Sequence, residues 1–243
     1  MYPEDLDKKV YRKVIMSRKL FSQKIQNIKD EVLLLGSMVE EAVHKSVNAL
    51  KMRDAKLAKQ IYQNDIELND KRYSIENAIL IVIATQQPMA RDLRELASML
   101  DVISELERMG DYAKGIAKVA VKLENVDLKI PMKEIEAMAE LSIGMLHEAL
   151  TAFINEDAKT AAQIPYEDDA VDRIYEDIYH KAVELMMSDP VNVDNSNLII
   201  WVGHNLERLA DRVTNICERT VFIATGELME LEVDEEDDQL DLE

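Results

Sequence analysis

At 243 residues, 47% of them hydrophobic, the chain has room for one large or two ordinary domains and the apolar mass to build their cores. Six glycines, five prolines and 5% aromatics, against abundant Leu, Ala, Ile, Glu, Lys and Met, argue for an all-helical protein. A formal net charge of −19 excludes the basic footprint of a nucleic-acid binder, and a single cysteine, Cys217, excludes an internal disulfide.

Residues 1–20 read as a charged leader carrying Lys8, Lys9, Arg12, Lys13, Arg18 and Lys19. It lacks the apolar stretch of a secretory signal. From residue 21 the apolar side chains step as Phe21, Ile25, Ile28, Val32, Leu35, Val39 and Ala42. That spacing of three and four is the seam of a packed helix, predicted to run to about residue 52. Asp54 reads as the N-cap of a second helix. It extends to about residue 87, where Pro88 stops it. The third helix, about 90–124, has the seam Met99, Val102, Leu106, Met109, Ala113, Ile116, Ala120 and Leu123.

Residues 125–131 divide the chain into halves, and Pro131 suits the first turn of the next helix. A fourth helix is expected to about 155 and a fifth from about 157 to 188, with a kink or restart at Pro165. A sixth runs from about 195 to 224 on the seam Ile199, Val202, Leu206, Leu209, Val213, Ile216, Thr220 and Ile223, with Gly226 near its C-cap. Residues 227–243 hold ten acidic and no basic side chains and read as a solvated, disordered tail able to dock on a basic partner. Short connections make neighbouring helices antiparallel. The expected fold is therefore two tandem, pseudo-repeated three-helix bundles, 21–126 and 127–226. The longest apolar run, 78–84, is too short to span a bilayer, so a soluble cytoplasmic protein is expected.

The repeat is written into one motif. Leu106-Glu107-Arg108-Met109-Gly110-Asp111 recurs 100 residues later as Leu206-Glu207-Arg208-Leu209-Ala210-Asp211. Each copy sets two carboxylates at i and i+4, neighbours on one helix face. Glu107 lies in a row with Leu100, Ile103 and Gly110, and Glu207 in a row with Ile200, Gly203 and Ala210. Those small neighbours are read as room for something bulky to approach. A carboxylate in such surroundings needs a partner or a metal. An ion pair with Arg108 or Arg208 explains one copy well and two copies less well.

Facing ligands are expected from the second helix of each half. There Asp168, Asp172 and Glu176 recur every four residues, and His180 continues the row. At an offset of 103, Asp65 corresponds to Asp168, Asn69 to Asp172 and Tyr73 to Glu176, with Glu76 one turn beyond Asn69. The first site is expected to be the weaker. For His180 and His204 a surface or hydrogen-bonded role is favoured over metal ligation. Oxygen ligands admit iron, manganese, magnesium, calcium or zinc, as divalent or trivalent ions and as multinuclear iron.

Gln86-Gln87-Pro88-Met89-Ala90-Arg91-Asp92-Leu93-Arg94, followed by the first Leu-Glu-Arg motif, resembles the PhoU family of phosphate-uptake regulators. Asp172-Arg173-Ile174-Tyr175-Glu176, Met186-Met187-Ser188-Asp189-Pro190 and the second Leu-Glu-Arg motif extend the resemblance over residues 21–226. It implies tandem three-helix bundles and carboxylate metal sites at Glu107, Asp111, Glu207 and Asp211. It also implies a cytoplasmic negative regulator of phosphate starvation. Such a regulator acts with the ATPase subunit of the phosphate transporter and with a sensor histidine kinase. It is often a dimer and meets the membrane only through partners. Asn69 and Tyr73 depart from the family pattern.

No nucleophile–base pair, phosphate loop or dinucleotide fingerprint is present in the sequence, so an adaptor is the leading reading and an enzyme is not expected. Arg91 and Arg94 are candidate partner-binding residues, weighed against local packing of the turn. A metalloenzyme on a bridged metal pair and a metal-storage bundle are the alternatives.

Overall fold

The computed structural model describes the backbone of residues 3–231 and the side chains from Arg18 to Leu231. It is helical, with no strand among the described residues. The elements are α1 (Pro3–Met52), α2 (Ala55–Gln86), α3 (Arg91–Lys122), α4 (Met132–Asn155), the single turn α5 (Ala158–Ala161), α6 (Asp168–Ser188) and α7 (Val193–Thr225). The backbone of the charged leader continues into α1; its side chains up to residue 17 and the tail from 232 lie outside the described residues.

Local chemistry sets the boundaries. The Asp54 side chain accepts from the N–H groups of Lys56 and Leu57 and so caps α2. Gln87 ends α2 in the left-handed region, one residue before Pro88. Asp157 caps α5, which stops after one turn; a 3-10 turn at Ile164–Glu167 holds Pro165, and α6 starts anew behind it. Pro131 is the N-cap of α4 rather than its first-turn residue. Gly226 closes α7 at φ 83°, a conformation that glycine adopts without steric cost.

Every residue of the seams read for α3 and α7 is buried, none more than 1% exposed. On α1, Ile25, Ile28, Val32, Leu35 and Val39 are buried, while Phe21 and Ala42 are half-buried. α4 is long and apolar enough by composition to cross a membrane, but 56% of that window is buried, as befits a core helix.

The bundles are α1–α2–α3 and α4–α6–α7. They share one continuous core. The contact between them joins α1 to α4 and α3 to α7. Both pairs are repeat equivalents, so the halves meet about a pseudo-twofold axis. The side chains at positions 112 and 212, one repeat length apart, touch: Arg212 Nε donates to Tyr112 Oη at 3.3 Å. Arg212 also approaches Glu105 at 3.5 Å, and Arg219 pairs with Asp101 at 3.1 Å. Bare glycines permit the close approach. A Cβ on Gly36 would lie 2.2 Å from Leu150 Cδ1, and one on Gly115 would lie 2.6 Å from Trp201 Cη2.

A buried charge network locks one end of this contact, and the apolar periodicity gave no hint of it. Lys29 of α1 is 8% exposed. Its ammonium lies 2.5 Å from Glu95 of α3 and 3.2 Å from Glu156 at the end of α4, and donates to the Ile154 carbonyl at 3.3 Å. Removing one partner from a buried pair strands the other charge. Lys29→Met should therefore cost about 3–5 kcal/mol in urea unfolding. Lys29→Met combined with Glu95→Leu should recover a large part of that loss; a double variant no more stable than the single one would refute the network.

Candidate functional site

The two acidic faces have the same register but different companions. In the second repeat, Asp168 and Asp172 lie one turn apart on α6, and Glu207 and Asp211 one turn apart on α7. Asp168 begins α6, where the helix dipole favours an acid. Burial nevertheless raises its pKa to about 7, with Asp172, Asp211, Glu207 and Asp169 adding repulsion. Its Oδ1 is buried without a hydrogen-bond partner. Burial also raises the Glu207 carboxyl, helped by Asp211, while His204 opposes the shift. His204 Nδ1 stands 2.9 Å from Glu207 Oε2, the hydrogen-bonded role favoured for it. Asp211 is raised chiefly by desolvation, against the pull of Arg212 and Arg208. These four carboxylates form one electrostatic set. Glu176, one turn further along α6, is exposed and does not appear among the groups that shift them.

In the first repeat the corresponding acids are neutralised from within. Asp65, the equivalent of Asp168, is buried and ion-paired to Lys114, and Asn69 Nδ2 donates to it at 3.4 Å. Lys114 also approaches Asp111 at 3.6 Å. Glu76 pairs with Arg72 of its own helix at 3.0 Å. Glu107 is raised by burial and by Asp111, and Arg72 counters both. At the repeat offsets, Lys114 is replaced by Thr214 and Arg72 by Tyr175. The second repeat thus lacks both built-in cations. The sequence places Asp65 opposite Asp168 in the repeat but does not single out Lys114, although a lysine three residues after Asp111 is a visible signal.

The small residues beside each Glu serve the facing helix. A Cβ on Gly110 would meet Leu68 of α2 at 2.8 Å, and one on Gly203 would meet Tyr175 of α6 at 2.9 Å. The bulky group expected to approach is therefore a side chain of the same bundle. Arg91 is ion-paired to Glu156, and the Arg94 guanidinium lies against Gly226, 3.4 Å from where a Cβ would stand. Arg91 is thus held at the end of α4 and Arg94 at the end of α7. His180 is exposed and meets Tyr179 edge-on. The Cys217 thiol is buried, which pushes its pKa up to about 12 and removes it as a nucleophile.

Among the described residues, no three His, Cys, Asp or Glu side chains are grouped as ligands for a metal ion. The second face is instead a set of oxygen donors that includes one orphaned buried acceptor, Asp168 Oδ1. It can take up a proton on Asp168 or a cation among the four carboxylates, after side-chain rotation.

The sign of the proton effect is fixed. Asp168 titrates near 3.8 unfolded and about 7 folded. The stabilising proton is present at low pH and is lost as pH rises from about 4 to about 7. The metal-free protein should therefore lose stability across that window. Asp168→Asn should flatten the profile and stabilise the protein at neutral pH by roughly 1–2 kcal/mol, discounted for partial exposure. Parallel pH profiles of thermal unfolding for both proteins would contradict this assignment.

A family model described as the PhoU domain matches twice, at residues 32–120 and 135–220. A phosphate-specific transport system accessory protein PhoU homolog from Clostridium acetobutylicum is 32% identical over 217 residues, 89% of this chain and 99% of the relative. The phosphate-specific transport system accessory protein PhoU of Escherichia coli is 31% identical over 207 residues, 85% of this chain and 86% of that protein. The crystal structure of PhoU from Pseudomonas aeruginosa matches with a TM-score of 0.79 at 32% identity, covering 85% of this chain and all of that one. The phosphate transport system regulatory protein PhoU from Streptococcus pneumoniae also gives 0.79 at 32% identity, covering 86% and 99%.

Proposed function

The chain belongs to the PhoU family, and on that premise we propose that it is a cytoplasmic, metal-dependent adaptor that restrains phosphate uptake and phosphate-starvation signalling. Its relatives are named as accessory and regulatory proteins of phosphate-specific transport. Its partners on this reading are the ATPase subunit of the phosphate ABC transporter and a phosphate-sensing histidine kinase. It acts as a homodimer and reaches the membrane through those partners.

The observation that carries the reading is the contrast between Asp65 and Asp168. They hold one position in two copies of one unit, yet Asp65 has a lysine and Asp168 Oδ1 has no hydrogen-bond partner. Buried charge without compensation is costly, so its presence calls for a ligand or a function. Asp168, Asp172, Glu207 and Asp211 would hold a hard or borderline cation: iron, manganese, magnesium, calcium or zinc. Bound there, the metal would balance the carboxylates and offer open positions to groups of a partner protein. The first face, Glu107 and Asp111 with Asn69 and Glu76 nearby, already holds Lys114 and Arg72 and would bind metal more weakly. Glu176, at the edge of the second face, would serve a second ion.

The test is affinity capture of the full chain from phosphate-replete cells, with bound metal quantified on the same samples. Glu207→Ala with Asp211→Ala should reduce metal affinity more than about tenfold and lose the transporter ATPase. Glu107→Ala with Asp111→Ala should change metal content less. Equal metal content in both variants and the parent would overturn the site; a metal-loaded protein that captures no transport or kinase subunit would overturn the adaptor.

A further inference from the structure

Beside the motif residue Arg208, α3 and α7 part to leave a groove of about 320 Å³ between the two repeats. Ligand pockets begin at about this size. The chain carries −19, yet this groove is edged by Lys114, Lys118 and Arg208 against one carboxylate, Asp111. Lys114 is committed to Asp65 and Asp111. Lys118 and Arg208 are both exposed, and ring faces hold them in place. Lys118 Nζ stands 5.3 Å from the centre of the Tyr62 ring, and the Arg208 guanidinium 5.3 Å from that of Tyr112. A cation parked on a ring keeps its charge available to an anion.

One wall of the groove is Trp201, the only tryptophan in the chain. Gly115 lets its ring edge lodge against α3, and Asn205, 6% exposed, donates to the Trp201 carbonyl at 2.5 Å. The indole is nevertheless 42% exposed. Trp201 and Arg208 are seven residues apart on one face of α7, about 10 Å along its axis. A stacking surface about 10 Å along the helix from a guanidinium, with the Lys118 ammonium lining the same groove from α3, fits a planar ring joined to phosphate groups. An acidic peptide would use the cations and leave the indole without a counterpart.

We propose that this groove is a nucleotide-binding site, in which the base stacks on Trp201 and the phosphates meet Arg208 and Lys118. It borders both acidic faces: Asp111 and Lys114 line one edge, and His204, hydrogen-bonded to Glu207, lines another.

Trp201 emission reports the site directly. The full-length protein is titrated with ATP, ADP and AMP, with chelator present so that no metal bridge contributes. Inorganic phosphate and a poly-glutamate peptide form the comparison arms. Saturable quenching by nucleotide is expected, weakened about tenfold or more in Lys118→Ala with Arg208→Ala. Both side chains are exposed, so that variant should fold; circular dichroism verifies this. Calorimetry on Trp201→Ala should show weaker nucleotide binding, as loss of a stacking surface requires. No saturable response to nucleotide overturns the proposal. So does equal binding by the double variant, equal affinity for phosphate alone, or tighter binding of the peptide.

Discussion

The packing of α3 against α7 is the constraint on which the rest of the molecule depends. These helices are repeat equivalents, and the apolar seam of each is fully buried. Their seams cannot be covered within one repeat alone, because α3 must pack on α1, α2 and α7 together, and α7 on α3, α4 and α6. One continuous core results, with Tyr112 and Arg212 meeting near the pseudo-twofold axis. The same crossing sets the two acidic faces on either side of the axis and leaves the Trp201 groove between them.

Within that frame, charge is handled in three physically different ways. Lys29 and Glu95 are buried, and Lys29 pairs with both Glu95 and the half-buried Glu156, which fixes how α1, α3 and α4 meet. Asp65 is buried and matched by Lys114, so the first acidic face is balanced. Asp168 is crowded by other acids, and its carboxyl is driven up toward neutrality. A burial site that leaves an anion uncompensated is one that a cation or a partner can stabilise by supplying the missing charge. Lys114 and Arg72 of the first repeat stand where the second has Thr214 and Tyr175, and Asn69 stands where the second has Asp172.

Much of this was legible in the sequence. The seams of α3 and α7 follow from periodicity alone, since a helix that buries one face must repeat its apolar side chains every three or four residues. The Asp54 cap, the stop at Pro88, the restart around Pro165 and the glycine C-cap follow from local backbone chemistry. Glu107, Asp111, Glu207 and Asp211 were legible because the repeat places each pair at i and i+4. Less legible were the companions of those acids. Lys114 and Arg72 approach from distances that only the packed helices define, and the glycines beside the acids serve the facing bundle helix, which spacing along one helix does not reveal. Pro131 looked like a first-turn residue, but the hydrogen bonding of the linker makes it the cap.

By itself, then, the sequence determined the helices, their buried faces, their duplication and the rows on which the carboxylates stand, because these depend on neighbours within a few turns. Tertiary structure decided which repeat-equivalent helices meet, which acids receive a cation, and that Trp201 stands exposed in one groove with Arg208 and Lys118. Those outcomes depend on side chains about 50 or 100 positions apart being brought within a few ångströms, and no local period encodes that distance.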